Sequence, residues 1–228
     1  MTFNRPAKTF GQNRIAGFSL TEVAIVLGII SAFTAAIWGV ASNVYENNAV
    51  TATVQQIVKI TGNVRDTYTA LPAWLTSGTC STNGPNSWGA VPTDVTKCFD
   101  GNFLFPVDMR NSAAQPGNST MSHALSGTIK ILDETYTIAN PIPTFRIELL
   151  SLKASACSKL LTQLPFNDAT FGFVQVLVNG NSVAKVNAYS GGVPSWNTAP
   201  PFSPTTAAGW CSNAGNANEV DIELRLHN

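Results

Sequence analysis

No charged residue occurs between Val23 and Tyr45, and a single acid, Glu22, stands at the entrance to that run. At about 1.5 Å of rise per residue, a helix of this length is roughly what a bilayer requires. A charge at the mouth of a membrane segment is costly unless it has a task. Upstream, Arg5, Lys8 and Arg14 lie before Gly17 with no acid beside them. Positive residues on that side predict that the N-terminal end stays cytoplasmic and the remainder lies outside.

Composition narrows the class. A chain of 228 residues allows one or two modest domains and a real core. Charged residues make up only 11% and the formal net charge is zero, which argues against nucleic-acid binding driven by bulk charge. An ordinary secretory signal is cleaved after its apolar region, at an A-x-A-like site. No such site clearly follows this run, although Ala32, Ala35, Ala36 and Ala41 could mimic one. The plain alternative is a single-pass anchor for a periplasmic domain.

The junction itself says more. Ala16-Gly17-Phe18-Ser19-Leu20-Thr21-Glu22, followed by Val23-Ala24-Ile25-Val26-Leu27-Gly28-Ile29-Ile30, resembles the processing site and N-terminal helix of type IV prepilins. In that pattern Gly17 closes the leader, Phe18 opens the mature chain and Glu22 is its fifth residue. The resemblance implies an α+β fold with a long N-terminal α-helix packed on an antiparallel β-sheet head. It implies three segments: residues 1–17 as leader, 18–71 as helix (membrane or fibre core to about 45, amphipathic beyond), and 72–228 as head. It also implies a membrane peptidase that cuts after Gly17 and N-methylates Phe18. The small side chain of Gly17 lets the backbone approach that peptidase closely. Removing the leader leaves ten basic and thirteen acidic side chains, since three of the thirteen basic ones lie within it.

A physical role for Glu22 follows from the cut. The new amine at Phe18 is protonated at neutral pH. A carboxylate four residues along a helix has the right sign and depth to meet such an amine on a neighbouring subunit. In low dielectric that attraction is worth much more than in water. An unpaired carboxylate there is penalised, which favours one axial register over random insertion.

The helix is expected to continue past the membrane run. Apolar residues recur at Val50, Val54, Ile57, Val58, Val64, Tyr68 and Leu71, mostly spaced by three, four or their sums, and Pro72 supplies a stop. Such a helix is roughly 80 Å long. Tyr68 and Leu71 read as core. Many type IV pilins carry a proline midway along this segment; Gly39 sits in about that place, and a flexible point is expected there.

Residues 73–116 are rich in Gly, Ser, Thr, Asn and Pro and read as loop with a few short elements. Beyond them, Thr128–Ile131 and Thr144–Leu149 look like strands, and Leu152–Leu164 looks like a helix stopped by Pro165. Phe171–Val178 and Val183–Ala188 flank Asn179-Gly180, the favoured type I′ hairpin turn. Val220, Ile222, Leu224 and Leu226 alternate with Asp221, Glu223, Arg225 and His227, which predicts a half-buried C-terminal strand.

Cys80, Cys98, Cys157 and Cys211 all lie on the expected outer side, where disulfides form. None has C-x-x-C spacing and the chain has only His123 and His227, so no metal site is expected. Four cysteines allow three pairings; Cys80–Cys98 and Cys157–Cys211 are preferred. In type IV pilins a C-terminal disulfide encloses an exposed, variable D-region, and residues 157–211 would be that region here. A strand followed by a helix carrying Ala156-Cys157-Ser158-Lys159-Leu160 resembles type IVb pilins, the class of toxin-coregulated and bundle-forming pili. Phe18 departs from the Met or other apolar residue frequent in that class.

Other chemistry is thin. Asp133-Glu134 and Asp221/Glu223 are paired carboxylates that read as solvated positions, and Asn118-Ser119-Thr120 as a polar loop. Trp196, Phe202 and Trp210 read as packing beneath the Cys211 bridge rather than as an adhesive patch. No catalytic residue and no cofactor is expected. The expected role is a pilus subunit for adhesion, aggregation, conjugation or motility. It would reside in the inner membrane and then in an extracellular fibre of a Gram-negative-type bacterium. Expected partners are identical subunits, the prepilin peptidase/methyltransferase, inner-membrane assembly machinery and an unidentified surface receptor, with no nucleic acid. The alternatives are a minor pilin, a secretion-system pseudopilin or a non-polymerising, membrane-anchored binding module.

Overall fold

One helix, α1, runs from Leu20 to Ala70 without a break in a computed structural model of the chain. The structure describes residues 19–70, 93–96, 104–110, 121–136, 142–166, 171–190, 193–213, 215 and 217–225. It divides into two compact units, residues 1–43 and 44–228.

Within the first unit, α1 is exposed all round. Ile25, Phe33 and Trp38 are 63%, 67% and 77% exposed. The few hydroxyls bond back to the helix: Ser31 donates to the Leu27 carbonyl and Thr34 to the Ile30 carbonyl. Polar groups on an apolar helix are thereby satisfied locally. At the expected flexible point, the Gly39 carbonyl accepts from Ser42 Oγ and Asn43 Nδ2, at 3.0 and 3.1 Å, and the helix continues through it.

Within the second unit, the buried stripe of α1 is Val50, Thr53, Gln56, Ile57, Ile60, Thr61 and Val64. The expected Val50, Ile57 and Val64 are on it. Val54 and Val58 sit at its edge, half-buried, and Thr53 and Ile60 take the central positions instead. A centre line of alternating three- and four-residue steps (50, 53, 57, 60, 64) follows from 3.6 residues per turn. The Tyr68 side chain and Leu71 lie outside the described residues.

Among the described residues, seven strands form one antiparallel sheet: β1 (Thr93–Asp94), β2 (Ile129–Tyr136), β3 (Ile142–Leu152), β4 (Phe173–Val178), β5 (Asn181–Ser190), β6 (Val193–Trp196) and β7 (Asn218–Arg225). Their order is β1-β2-β3-β7-β4-β5-β6. Helix α2 (Ala154–Gln163) follows β3, and α3 (Pro204–Trp210) precedes β7. A 3-10 turn spans Val107–Met109. This is the α+β architecture that the resemblance implies.

Register explains the core. Ile131, Ile147, Ile222 and Val176 face one another across β2, β3, β7 and β4, and Ile129, Leu149, Val220 and Val178 form the next row. All are buried together with Val50, Ile57, Ile60 and Val64. Polar residues of α1 pin it to the head. Gln56 donates to Asp108 and accepts from the Ala124 amide, Asn63 donates to the Leu104 carbonyl, and Arg65 donates to the carbonyls of Phe171 and Arg225. Glu46 meets Lys159 Nζ at 2.7 Å and accepts from Ser155, both on α2. Burial pushes the Glu46 carboxyl up, but the bonds and charge of Lys159 and the Ser155 hydroxyl outweigh it and hold the group below its usual value.

The expected half-buried C-terminal strand is corrected. β7 lies between β3 and β4, and both of its faces are covered: Asp221 is 3% and Glu223 1% exposed. Alternation in the sequence marks a strand but does not distinguish an edge from a centre. Among the described residues the other expected elements stand, with Leu152 ending β3 rather than opening α2; most of residues 73–116, with Leu226 and His227, lie outside the described residues. The turn at Asn179 and Gly180 has φ of 54° and 75°, as a type I′ hairpin requires.

Candidate functional site

The N-terminal end of α1 holds the residue with the clearest expected task. Ser19 is the helix cap. Its Oγ accepts from the Glu22 amide at 3.2 Å, and Glu22 Oε2 accepts from the Ser19 amide at 2.9 Å. This reciprocal pair is a capping box, two otherwise unpaired amides satisfied by two side chains. Thr21 Oγ1 lies 2.9 Å from Ser19 Oγ and extends the cluster. A carboxylate in the first turn also faces the positive end of the helix dipole. Glu22 is therefore oriented by its own chain before any partner arrives. The signal was in the sequence as S-x-x-E before an apolar run. Gly17 and Phe18 lie outside the described residues.

From Leu20 onward the helix is long and apolar enough to cross a membrane, by length and composition. The described surface around it is apolar with small residues interspersed: Ala35, Ala36, Ala41 and Gly39 alternate with Ile37, Trp38 and Val40. Such a surface suits lipid or other helices.

The second candidate region is the C-terminal loop system. Cys157 on α2 and Cys211 after α3 are bridged, with Cα atoms 5.9 Å apart, as preferred from sequence. Cys80 and Cys98 lie outside the described residues. Trp196, Phe202 and Trp210 pack as expected: Phe166 meets Phe173, Trp196 and Phe202, and Phe202 meets Trp210 edge-on at 5.0 Å. Phe202 belongs to the core, and Trp196 and Trp210 are partly buried against it. Helix α3 starts at Ser203, whose side chain accepts from the Thr206 amide, with Pro204 at the first position.

Two asparagines, Asn179 of the hairpin turn and Asn218 at the start of β7, tie this region together. Asn218, fully buried, donates to the carbonyls of Leu152 and Asn213 and accepts from the Asn213 amide and Asn179 Nδ2. Asn179 in turn donates to the Trp210 carbonyl and accepts from the Glu219 amide. One amide network thus joins β3, the β4–β5 turn, α3 and β7. No pattern in the sequence marks such a pair.

The paired carboxylates are not solvated as expected. Glu223 accepts from Thr144 Oγ1 at 2.8 Å inside the protein. Asp221 faces Glu148 across the ladder and meets Arg146 at 4.0 Å. Central placement of β7 is the cause. Asp133 and Glu134 lie in β2, with side chains outside the described residues; so does the segment 118–120. His123 is buried, its Nε2 is 3.0 Å from the Leu150 carbonyl, and burial depresses its pKa. Among the described residues no nucleophile–base–acid arrangement is present.

No family model matches the sequence, and no curated protein matches it either. Among solved structures, the chain is similar to the crystal structure of a type IVb pilin from Salmonella typhi, with 13% identity over 74% of this chain and 96% of that one, and a TM-score of 0.44.

Proposed function

We propose that this chain is the structural subunit of a type IV pilus of the IVb kind. It is cut between Gly17 and Phe18 by a prepilin peptidase, methylated at Phe18 and polymerised through its apolar helix. The observation that carries the reading is a carboxylate fixed in the first turn of a helix whose next stretch, Val23 to Val40, is uncharged and exposed. A fibre core supplies what that surface lacks, apolar neighbours and a cation. The Phe18 amine of an adjacent subunit is the cation of the right sign, and pairing in low dielectric sets the register. The disulfide-closed region 157–211 then lies in the head, where a receptor or surface would be met.

The capping box makes the test of Glu22 sharper. Valine at this position removes both charge and cap, whereas glutamine keeps the cap and removes only the charge. Both Glu22→Val and Glu22→Gln are expected to be processed yet to yield few fibres in sheared surface fractions. Normal fibres from Glu22→Gln would sink the pairing mechanism and leave only the cap. N-terminal sequencing with mass analysis of the mature chain is expected to begin at methylated Phe18, and Gly17→Ser to retain the leader on a gel. A chain that keeps its leader and works without Glu22 would instead be a membrane-tethered binding module.

A further inference from the structure

His123 sits at the seam where the head receives α1. Residues 121–128 turn back on themselves there: Ser122 bridges Thr128, the His123 amide donates to the Gly127 carbonyl and the Ser126 amide to the His123 carbonyl. Three hydrogen bonds tie this turn to its surroundings. The Ala124 amide donates to Gln56 Oε1 on α1 at 3.0 Å, the Leu150 amide of β3 donates to the Thr128 carbonyl, and His123 Nε2 lies 3.0 Å from the Leu150 carbonyl. A carbonyl only accepts, so Nε2 carries the proton of the neutral ring and Nδ1 is bare. The residue is 3% exposed, Gly127 lies against the ring, and Nδ1 is buried with no hydrogen-bond partner. The backbone on both sides of the Leu150 contact is strained. Three non-glycine positions among the described residues have positive φ, and two of them are here: Ser126 in the turn (66°) and Ser151 beside Leu150 (64°).

We propose that His123 is an acid-released latch: neutral, it holds residues 121–128 against α1 and β3, and protonated, it lets that turn open. Either form of the ring serves the Leu150 carbonyl, so the difference lies at Nδ1. A proton there creates a buried N–H without an acceptor and a buried charge, and water relieves both once the turn opens. The strained backbone at Ser126 and Ser151 is free to relax in the same step. The charged groups on the elements around the turn are Lys59 on α1, Asp108 and Arg110 at the 3-10 turn, Lys130 on β2, Glu148 on β3 and Lys153 just after it. Asp108 accepts from Gln56, and Glu148 meets Lys130. None of these groups contributes to the shift of the ring: burial lowers its pKa, and the Leu150 carbonyl raises it by less. The ring of an open turn titrates near the ordinary 6.5 and that of the closed turn below it, so falling pH favours the open form through this window. Opening separates the Ala124 amide from Gln56, so α1 keeps its buried apolar stripe but loses one of its polar ties to the head.

The test is residue-resolved hydrogen exchange of the full chain in detergent micelles at about pH 7 and about pH 5.5, with rates corrected for the intrinsic effect of pH. Protection of the His123, Ala124, Ser126 and Leu150 amides should fall together and severalfold, by at most about eightfold for one proton taken up at an ordinary 6.5. The Ile147 and Ile222 amides at the centre of the sheet should stay protected. His123→Gln keeps an N–H for the Leu150 carbonyl but does not titrate, so it should remove the response. The same response in that variant would overturn the latch, because other groups would then carry it. Turn amides equally protected at both pH values in the wild type would overturn it too. If His123→Gln does not fold, the wild-type ring decides. The chain has two histidines, so His227→Gln assigns their NMR signals. The His123 ring should titrate below 6.5. A ring titrating at 6.5 or above would mean that the closed turn accepts the proton, and the latch would fall.

Discussion

A single missing carbon decides the conformation at Gly127. A Cβ built there would lie 2.0 Å from the Leu150 carbonyl and 2.4 Å from His123 Nε2, distances no real side chain tolerates. The same carbonyl is the partner of His123, so an added methyl strikes both members of a buried hydrogen bond. Gly127→Ala is expected to destabilise the head by about 2 kcal/mol or more, as overpacking with a lost buried bond does. Denaturant unfolding against wild type measures it, and an unchanged midpoint would mean the backbone yields freely. Nothing near Gly127 in sequence announces this, because His123 is local but Leu150 arrives from β3. At Glu22 the opposite holds: every partner in its capping box lies within three residues, so the box was legible before any fold was known. Asp221 and Glu223 lie between these cases. Their alternation with apolar residues was visible, but their burial depends on which strands flank β7, and that is a tertiary fact.

Among the elements, α1 shows how far periodicity reaches. Its described extent is Leu20–Ala70, and Phe18 and Leu71, the expected ends, lie outside the described residues. Its buried centre line was only partly read, because Thr53 and Thr61 are polar by type yet buried, each bonding back to its own helix through the carbonyls of Ala49 and Ile57. A hydroxyl satisfied in this way costs little to bury. Ile60 is fully buried and sits between Ile57 and Val64. Ile60→Ala is expected to cost about 2–5 kcal/mol, while Val58→Ala at the stripe edge costs distinctly less. Equal losses from the two variants, read by thermal unfolding in micelles, would mean the stripe is centred elsewhere. Two short elements, α3 and β6, escaped the sequence because they are too short to show a period. In α3 the sequence does hold a start signal, Ser203-Pro204, but it is set among other Pro and Ser residues that read as loop.

For the molecule as a whole, two long-range constraints complement the hydrophobic core. The first is the Cys157–Cys211 bridge, with a sequence separation of 54. A loop of that size is worth about 4 kcal/mol on the chain-entropy account. Cys157→Ala with Cys211→Ala is expected to lose roughly that amount, plus a small packing term, in denaturant unfolding. A loss below about 1 kcal/mol would show that Phe166, Phe202 and the Asn179–Asn218 network already hold the region closed.

The second constraint is charge, and it gives stability a pH dependence. Burial raises the Asp221 pKa to about 8, with Glu219 and Glu148 adding to the shift. The folded chain therefore holds a proton that the unfolded chain releases near the ordinary Asp value of about 3.9. Between these values the native state binds more protons, so stability falls as pH rises and the fall is complete above about 8. His123 acts in the opposite sense. Its depressed pKa means that stability is lost as pH drops below its ordinary value of 6.5, so it is silent above about pH 7. Glu46, held below its usual value, matters only at acid pH, where protonation loosens its hold on Lys159. Urea unfolding is therefore expected to show stability declining from pH 7 to 8, by no more than about 1.4 kcal/mol per unit. Asp221→Asn should flatten that decline while leaving the acid limb in place. A wild-type profile that rises over the same interval would mean that Asp221 is already ionised in the folded protein.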